Sequence, residues 1–349
     1  MDIEELRSCI NSFSLDKCKK GNQGFNRILI QLFGFLGHGK SAFINTCIYV
    51  LEDGEYQNWA KAKEEDGGST MTRIPYKLTR NITLVDNRGL GKMDGYETGE
   101  IFAQLGNLLP LGKVDWPKGF ELVDRITRAE KSMTTSDFIF PVFVHSVKTS
   151  ITSEEQENIK KVLLKSRDLT GVYPIVVLTH KTSGKLTDTE NAFRDMGMER
   201  IFSFENYTKE DHMKTRGRHE EVLKFLHEVI KDVQFRIEHR PQDPVKEIME
   251  RKSFVMRYIH ECAKKAQQEE IEKQKFMEQA RLQRQKREQE EKINRQSERE
   301  RQDRDMEMKW KQEELERGRQ TQLVRQNEEL QAELERLRKK SKKKWRIFR

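Results

Sequence analysis

The chain has 349 residues, 36% charged and 35% hydrophobic, with a formal net charge of +8. So many charges exclude one compact globule over the whole length, and no window approaches the ~18 consecutive apolar residues of a membrane-spanning helix. The charge excess is local: residues 336–349 hold nine Lys and Arg and no acid, while residues 25–235 have the composition of an ordinary globular domain.

The opening MDIEELRS is acidic and lacks the apolar core of a secretory signal. Cys9, Cys18, Cys47 and Cys262 form no CxxC pair and no zinc-type spacing, which predicts free thiols and a cytoplasmic protein. Ile3, Leu6, Ile10 and Phe13 fall at helical spacing and predict a short amphipathic helix over 3–15. A turn follows around Lys20-Gly21-Asn22. Arg27–Phe33 (RILIQLF) has the nearly continuous apolar run of a strand buried on both faces. Ser41–Leu51 reads as a helix, residues 52–72 as a polar mobile loop, and Tyr76–Val85 as two strands around a tight turn at Arg80–Asn81. The Gly-, Pro- and Trp-bearing stretch near 106–120 reads as part of a helix-and-loop segment. Phe138–His145, Tyr173–Leu178 and Ile201–Phe204 are strands, Glu154–Lys165 is a helix, and Val222–Val233 is a closing helix with one apolar face.

Alternation of this kind predicts an α/β domain, a mainly parallel sheet with helices on both faces. The Pro-bearing stretch Arg240–Val245 reads as a hinge into a helix of unusual length. The organisation expected is a helical extension over 1–24, the α/β domain over 25–239, a charged helix or coiled coil over 240–337 and a polybasic aromatic tail over 338–349.

The sharpest motif is Gly34-Phe-Leu-Gly-His-Gly39-Lys40-Ser41, which fits GxxxxGK[ST] between a buried strand and a helix. Glycines at both ends let consecutive backbone N–H groups turn inward on phosphate oxygens, and the helix aims its positive end at the same anion. The Lys40 ammonium would reach the terminal phosphates and the Ser41 hydroxyl would ligate Mg²⁺. Strand 82–85 then runs into Asp86-Asn-Arg-Gly89, a DxxG turn. Its carboxylate suits an outer hold on Mg²⁺ and its Gly89 N–H suits the γ-phosphate. Ser69, Thr70 and Thr72 offer the threonine that closes over phosphate and metal, and Thr72 is preferred because it lies just before the expected strand.

After the strand YPIVVL comes Leu178-Thr179-His180-Lys181-Thr182. Lysine here normally lays its stem over the purine. The following residue should be Asp, whose carboxylate accepts the guanine N1 and N2 protons, and Thr182 cannot accept both in charge-assisted form. Guanine reading is therefore open, with ATP as the competing ligand. Another strand ends at Phe204-Glu-Asn206-Tyr207, where a loop touches the base. Leu90 follows the DxxG turn where Ras-like enzymes place a water-positioning Gln, so slow hydrolysis is expected. His38 or Arg88 could assist it, against the plainer reading of both as exposed, solvated side chains.

The ordered set GFLGHGKS, TMTRIP, DNRG, LTHK and a strand ending in ENY resembles the interferon-induced protein 44 family, dynamin- and septin-neighbouring GTPase-like proteins. The likeness spans about residues 27–233. It implies a P-loop NTPase three-layer domain, GTP or GDP with Mg²⁺ as cofactors, and an immune setting. Expected nucleotide contacts are Gly34, Gly37, His38, Gly39, Lys40, Ser41, Ala42, Gly89, Thr179, His180, Lys181 and Asn206. Ser41, Thr72 and Asp86 are the expected metal groups, and Lys40, His38 and Thr72 the expected catalytic ones. Thr182 and the long tail depart from the family pattern.

In the tail, Glu and Arg three or four apart support an exposed helix over 260–320. Leu323, Leu330 and Leu337 then recur at seven, with Asn327 and Leu334 on the second core position, a pattern for a parallel homodimeric coiled coil over 323–337. The end, RKKSKKKWRIFR, suits peripheral contact with an anionic membrane. It also suits nucleic acid or nuclear import, or a plain solubilising tail. The functional expectation is a GTP-binding switch or self-assembling slow GTPase. The alternatives are a nucleotide-binding scaffold without useful hydrolysis and an NTPase of relaxed base specificity.

Overall fold

The computed structural model describes residues 1–60, 70–91, 95–115, 121–241 and 243–345. The chain forms two compact units, Met1–Ala266 and Gln267–Arg349. In the first, seven strands make one sheet among the described residues: β1 (Arg27–Phe33), β2 (Thr70–Lys77), β3 (Ile82–Asp86), β4 (Gly112–Asp115), β5 (Asp137–Ser146), β6 (Ile175–Thr179) and β7 (Ile201–Phe204). Their order is β4-β2-β3-β1-β5-β6-β7. The strands from β3 to β7 in that order are parallel, and β2 and β4 are antiparallel additions at one edge.

The helices are α1 (Ile3–Ser12), α2 (Lys40–Glu52), α3 (Gly95–Leu105), α4 (Leu122–Ala129), α5 (Ser153–Thr170), α6 (Leu186–Asp195), α7 (Arg216–His239) and α8 (Pro244–Trp345). Parallel strands need crossovers, and these put helices on both faces. Side chains alternate along a strand. Ile28, Ile30 and Leu32 of β1 therefore join the core beneath α1, α2 and α7, while Phe33 joins the core beneath α3, α4, α5 and α6. Burial of both faces is why RILIQLF reads as almost unbroken apolar sequence. Phe43 of α2 meets Phe204 of β7 at 5.0 Å and Phe225 of α7 at 5.3 Å, which fixes α2 under the sheet.

Two expectations change and one unassigned segment is filled. Strand β2 begins at Thr70, so Thr72 lies inside a strand, opposite Lys113 of β4, rather than in a loop before one. Strand β4, within the stretch read as helix and loop, is a short polar edge strand held by β2. Helix α6 fills the segment after Lys185 that carried no assignment.

The Pro-bearing stretch read as a hinge carries a helix cap. The Asp243 carboxylate accepts the N–H groups of Val245 and Lys246, both at 3.1 Å, with Pro244 at the first helical position, the arrangement helix starts favour. Residue 242 lies outside the described residues. The first turns of α8 belong to the globular unit. Ile248, Arg251 and Val255 are buried at helical spacing, and the Phe102 ring of α3 meets Tyr258 at 4.9 Å and Phe254 at 6.0 Å.

In the second unit α8 continues as a helix whose described side chains are exposed. Pairs such as Arg284–Glu288 at 3.2 Å and Lys311–Glu307 at 2.7 Å line it at i,i+4, each supporting it by a few tenths of a kcal/mol. Leu323, Leu330, Leu334 and Leu337 are all exposed. Residues 346–349 of the basic end lie outside the described residues.

Candidate functional site

The carboxyl ends of β1, β3, β5, β6 and β7 converge on one edge, where parallel α/β sheets place ligands. Strand β1 ends at Phe33, the chain turns through 34–39, and α2 starts at Lys40. Gly34 has φ 141°, and a Cβ there would stand 2.2 Å from the Val144 carbonyl oxygen of β5, so only glycine lets the loop cross so closely. Gly39, at φ 85°, is the N-cap of α2 and has no side chain to cap it. The positive end of that helix, with the first-turn N–H groups of Lys40, Ser41 and Ala42, therefore faces the loop.

Lys40 is buried, and its Nζ donates to the carbonyls of Gly34 at 3.2 Å and Phe35 at 2.9 Å. The ammonium therefore lies in the curve of the loop. The Ser41 hydroxyl donates to Asp86 Oδ2 at 2.7 Å, joining the start of α2 to the end of β3. These are hard oxygen donors of the kind Mg²⁺ takes. Of Thr72 only the backbone is described. Because Ile74 pairs with Asp86 in antiparallel register, Thr72 stands two residues past that pair, at the site's edge of the sheet. Ser69 lies outside the described residues.

The turn after β3 is sewn onto the loop. Leu90 N–H donates to Gly34 O and Leu36 N–H to Leu90 O, both at 3.0 Å, and Gly89 packs against Leu36. Leu90 is buried, and Arg88 is half exposed with Nη1 3.8 Å from Glu100.

His38 is not the exposed side chain its place in the loop suggests. It is buried, its Nδ1 accepts the Ser146 N–H at 3.1 Å, and its ring meets His145 edge-on at 4.7 Å. Burial, then the neighbouring His145 and Lys40, pull its pKa down to about 4. The bond at Nδ1 leaves the proton on Nε2 of a neutral ring. His38 and His145 line a cavity of about 270 Å³ with Phe35, Leu36 and Leu90.

At the base end, Thr179 Oγ donates to His38 O at 2.9 Å, tying β6 to the loop. His180 takes a left-handed φ of 58°, and the Lys181 N–H returns to Phe204 O at 3.2 Å. Lys181 Nζ is held by the Glu221 carboxylate at 2.6 and 2.7 Å. Thr182 donates both its N–H (3.0 Å) and its hydroxyl (2.6 Å) to Glu205 Oε2. A carboxylate thus stands beside the position where the sequence lacks one, delivered by the loop after β7. Sequence reading missed Glu205; its one signal was an acid opening the ENY step. Asn206, 7% exposed, has neither side-chain polar atom paired with protein, and its Nδ2 lies 3.4 Å from where a Cβ on Gly39 would stand. A buried unsatisfied amide costs about 1–3 kcal/mol, so it calls for a ligand or water partner at this place.

Strand, glycine turn, glycine-capped helix and DxxG carboxylate together define a P-loop α/β fold. No family model matches the chain, and no curated protein matches it. Among solved structures it is similar to a dimerization-deficient mutant of Toc33 from Arabidopsis thaliana, at 12% identity and TM-score 0.38 over 66% of this chain and 91% of that one. Toc33 from the same plant in complex with GDP and Mg²⁺ follows at 13% identity and TM-score 0.35, with the same coverage. The structure of a Thermus thermophilus protein is similar at 15% identity and TM-score 0.29, over 60% of this chain and 31% of that one.

Proposed function

We propose that the globular unit binds a guanine nucleotide with Mg²⁺ and holds it as a switch of slow turnover. The observation that carries this reading is the 2.7 Å contact between Ser41 and Asp86. It closes the site beside a glycine-capped helix start and an ammonium already inside the loop. Backbone N–H groups of 34–42 with Lys40 would neutralise the phosphates. Ser41 and Asp86, with Thr72, would hold Mg²⁺, which supplies charge neutralisation on phosphate oxygens.

At the base, the Glu205 carboxylate would accept the N1 and N2 protons of guanine, in place of the Asp absent at Thr182. Lys181, fixed by Glu221, would lay its stem on the purine, and Asn206 would find its missing partners. His38, neutral and tied to Ser146, anchors the loop in this reading; a cationic assist from it is not part of it.

Leu90 favours the reading of a nucleotide holder over a fast enzyme. Its backbone is bonded to the loop and its side chain is buried and apolar, so it cannot orient a water. The motif order resembles that of the interferon-induced protein 44 group, and the immune setting goes with that resemblance. Pairing of Leu323, Leu330 and Leu337 between two copies, and contact of 338–349 with anionic lipid, complete the proposed switch.

Titration calorimetry of GTP, GDP and ATP with Mg²⁺, on wild type, Lys40→Ala and Ser41→Asn, tests the core of this. GTP and GDP should bind wild type and fail on Lys40→Ala. Absence of heat with every nucleotide would remove the function, and equal affinity for ATP would remove the guanine assignment.

A further inference from the structure

Arg73 of β2 is fully buried, and among the described residues no carboxylate bonds it directly. Its Nε donates to Asn87 Oδ1 at 3.1 Å, and its Nη2 to Gln104 O at 3.0 Å and Asn107 Oδ1 at 3.3 Å. Nη1 donates to Leu109 O. Asp137 is linked to this network through the Asn107 amide, at 3.2 Å. Burial lowers the guanidinium pKa to about 9, which still leaves it charged at neutral pH. Its compensation comes from the nearby Asp137 charge and from carbonyls at and just beyond the end of α3, the negative pole of that helix.

Burying a cation without a direct counter-ion is costly, and an apolar side chain would fill the same space more cheaply. What the arginine joins is specific. Asn87 belongs to the turn between Asp86 and Gly89, and its amide also bonds Gln31 Oε1 at 2.8 Å and Leu32 O at 3.0 Å on β1. Gln104, Asn107 and Leu109 close the far end of the segment that starts at that turn and forms α3. Thr72 is the next residue along β2. One planar fork therefore ties β2, the DxxG turn and the end of α3 together, a geometry lysine cannot reproduce.

We propose that Arg73 is a positioning residue that locks the DxxG turn and α3 to β2, and so sets how strongly the site distinguishes a nucleoside triphosphate from a diphosphate. This rests on the nucleotide-binding reading above. The α- and β-phosphates would meet the loop and Lys40, which Arg73 does not touch. A γ-phosphate would meet the turn and the Thr72 region, which it holds. Since Phe102 of α3 packs on Phe254 and Tyr258, the same lock connects the phosphate end to the first turns of α8.

The test compares wild type, Arg73→Lys and Asn87→Ala by calorimetry with GDP and with a non-hydrolysable GTP analogue, alongside amide hydrogen exchange over 95–109. For Arg73→Lys, GDP affinity should stay within about twofold while analogue affinity falls roughly tenfold, within the usual range of coupling between sites. Exchange in α3 should then no longer differ between the two nucleotides. Equal losses for both nucleotides would reduce Arg73 to fold stability, and unchanged affinities would give it no part; either overturns the proposal. Should Arg73→Lys not fold, Asn87→Ala frees the turn from Arg73 and from Gln31 and Leu32 of β1, and the same selective loss is expected. A wild type that binds neither nucleotide would sink the nucleotide reading itself, and is told apart because the failure precedes any substitution.

Discussion

In the proposed guanine site, Glu205→Gln separates base reading from phosphate binding. Both Thr182 donors go to one oxygen of this side chain, Oε2, at 3.0 Å from the N–H and 2.6 Å from the hydroxyl. Glutamine keeps an oxygen for Thr182, so the loop survives, and the second oxygen becomes an amide NH₂. That group faces the donor edge of guanine with a donor. One charge-assisted bond is lost and the other becomes neutral, a cost of about 2–3 kcal/mol, or roughly 30- to 150-fold in affinity. Xanthine carries a carbonyl where guanine carries its amino group, so XTP should bind the variant better than wild type, while ATP should not change. Competition against a fluorescent GTP analogue measures all three. A GTP-to-ATP preference within about twofold of wild type would refute the assignment of Glu205. Thr182→Asp gives the opposite sign from the one the motif alone suggests: it sets a second carboxylate against Glu205, and GTP affinity should fall.

The paired histidines make stability depend on pH. His38 and His145 are both held near a pKa of about 4 by burial, below the ~6.5 of an unfolded histidine. Between those values the unfolded chain binds more protons, so stability is complete above about pH 6.5 and drains as pH falls toward 4, by up to ~1.4 kcal/mol per unit for each ring. Urea midpoints across that window should drop, and less steeply for His145→Phe; a flat profile would contradict the burial argument. Gly34→Ala should lower stability by about 3 kcal/mol or more, read as a fall in melting temperature, because its methyl would collide with the Val144 carbonyl. Leu330→Glu should shift sedimentation from dimer to monomer, since a charge at the centre of the 323–337 seam disfavours pairing; a wild type that is already monomeric would remove the coil.

Strand β1, the glycine turn at 34–39 and the turn at Asp86 were legible because their chemistry is local. A buried parallel strand must be apolar on both faces, and a loop that cradles phosphate needs glycine at fixed spacing before a helix. Strand β4 was not legible, because a short polar edge strand exists only through its partner and β2 supplies that. The inclusion of α8 as far as Ala266 was hidden because its buried residues, Ile248, Arg251 and Val255, form a thin stripe in charged sequence whose meaning depends on α3. Glu205 and Thr182 are far apart in sequence, and only the pairing of β6 with β7 brings their loops together. His38 reads as a solvated loop residue, and it is the end of β5, through Ser146 and His145, that takes it out of water. Nearest-neighbour patterns thus determine where the buried strands, the glycine turn and the long helix lie; which carboxylate stands beside which hydroxyl, and which cation is sealed from water, is decided by the order of strands in the sheet.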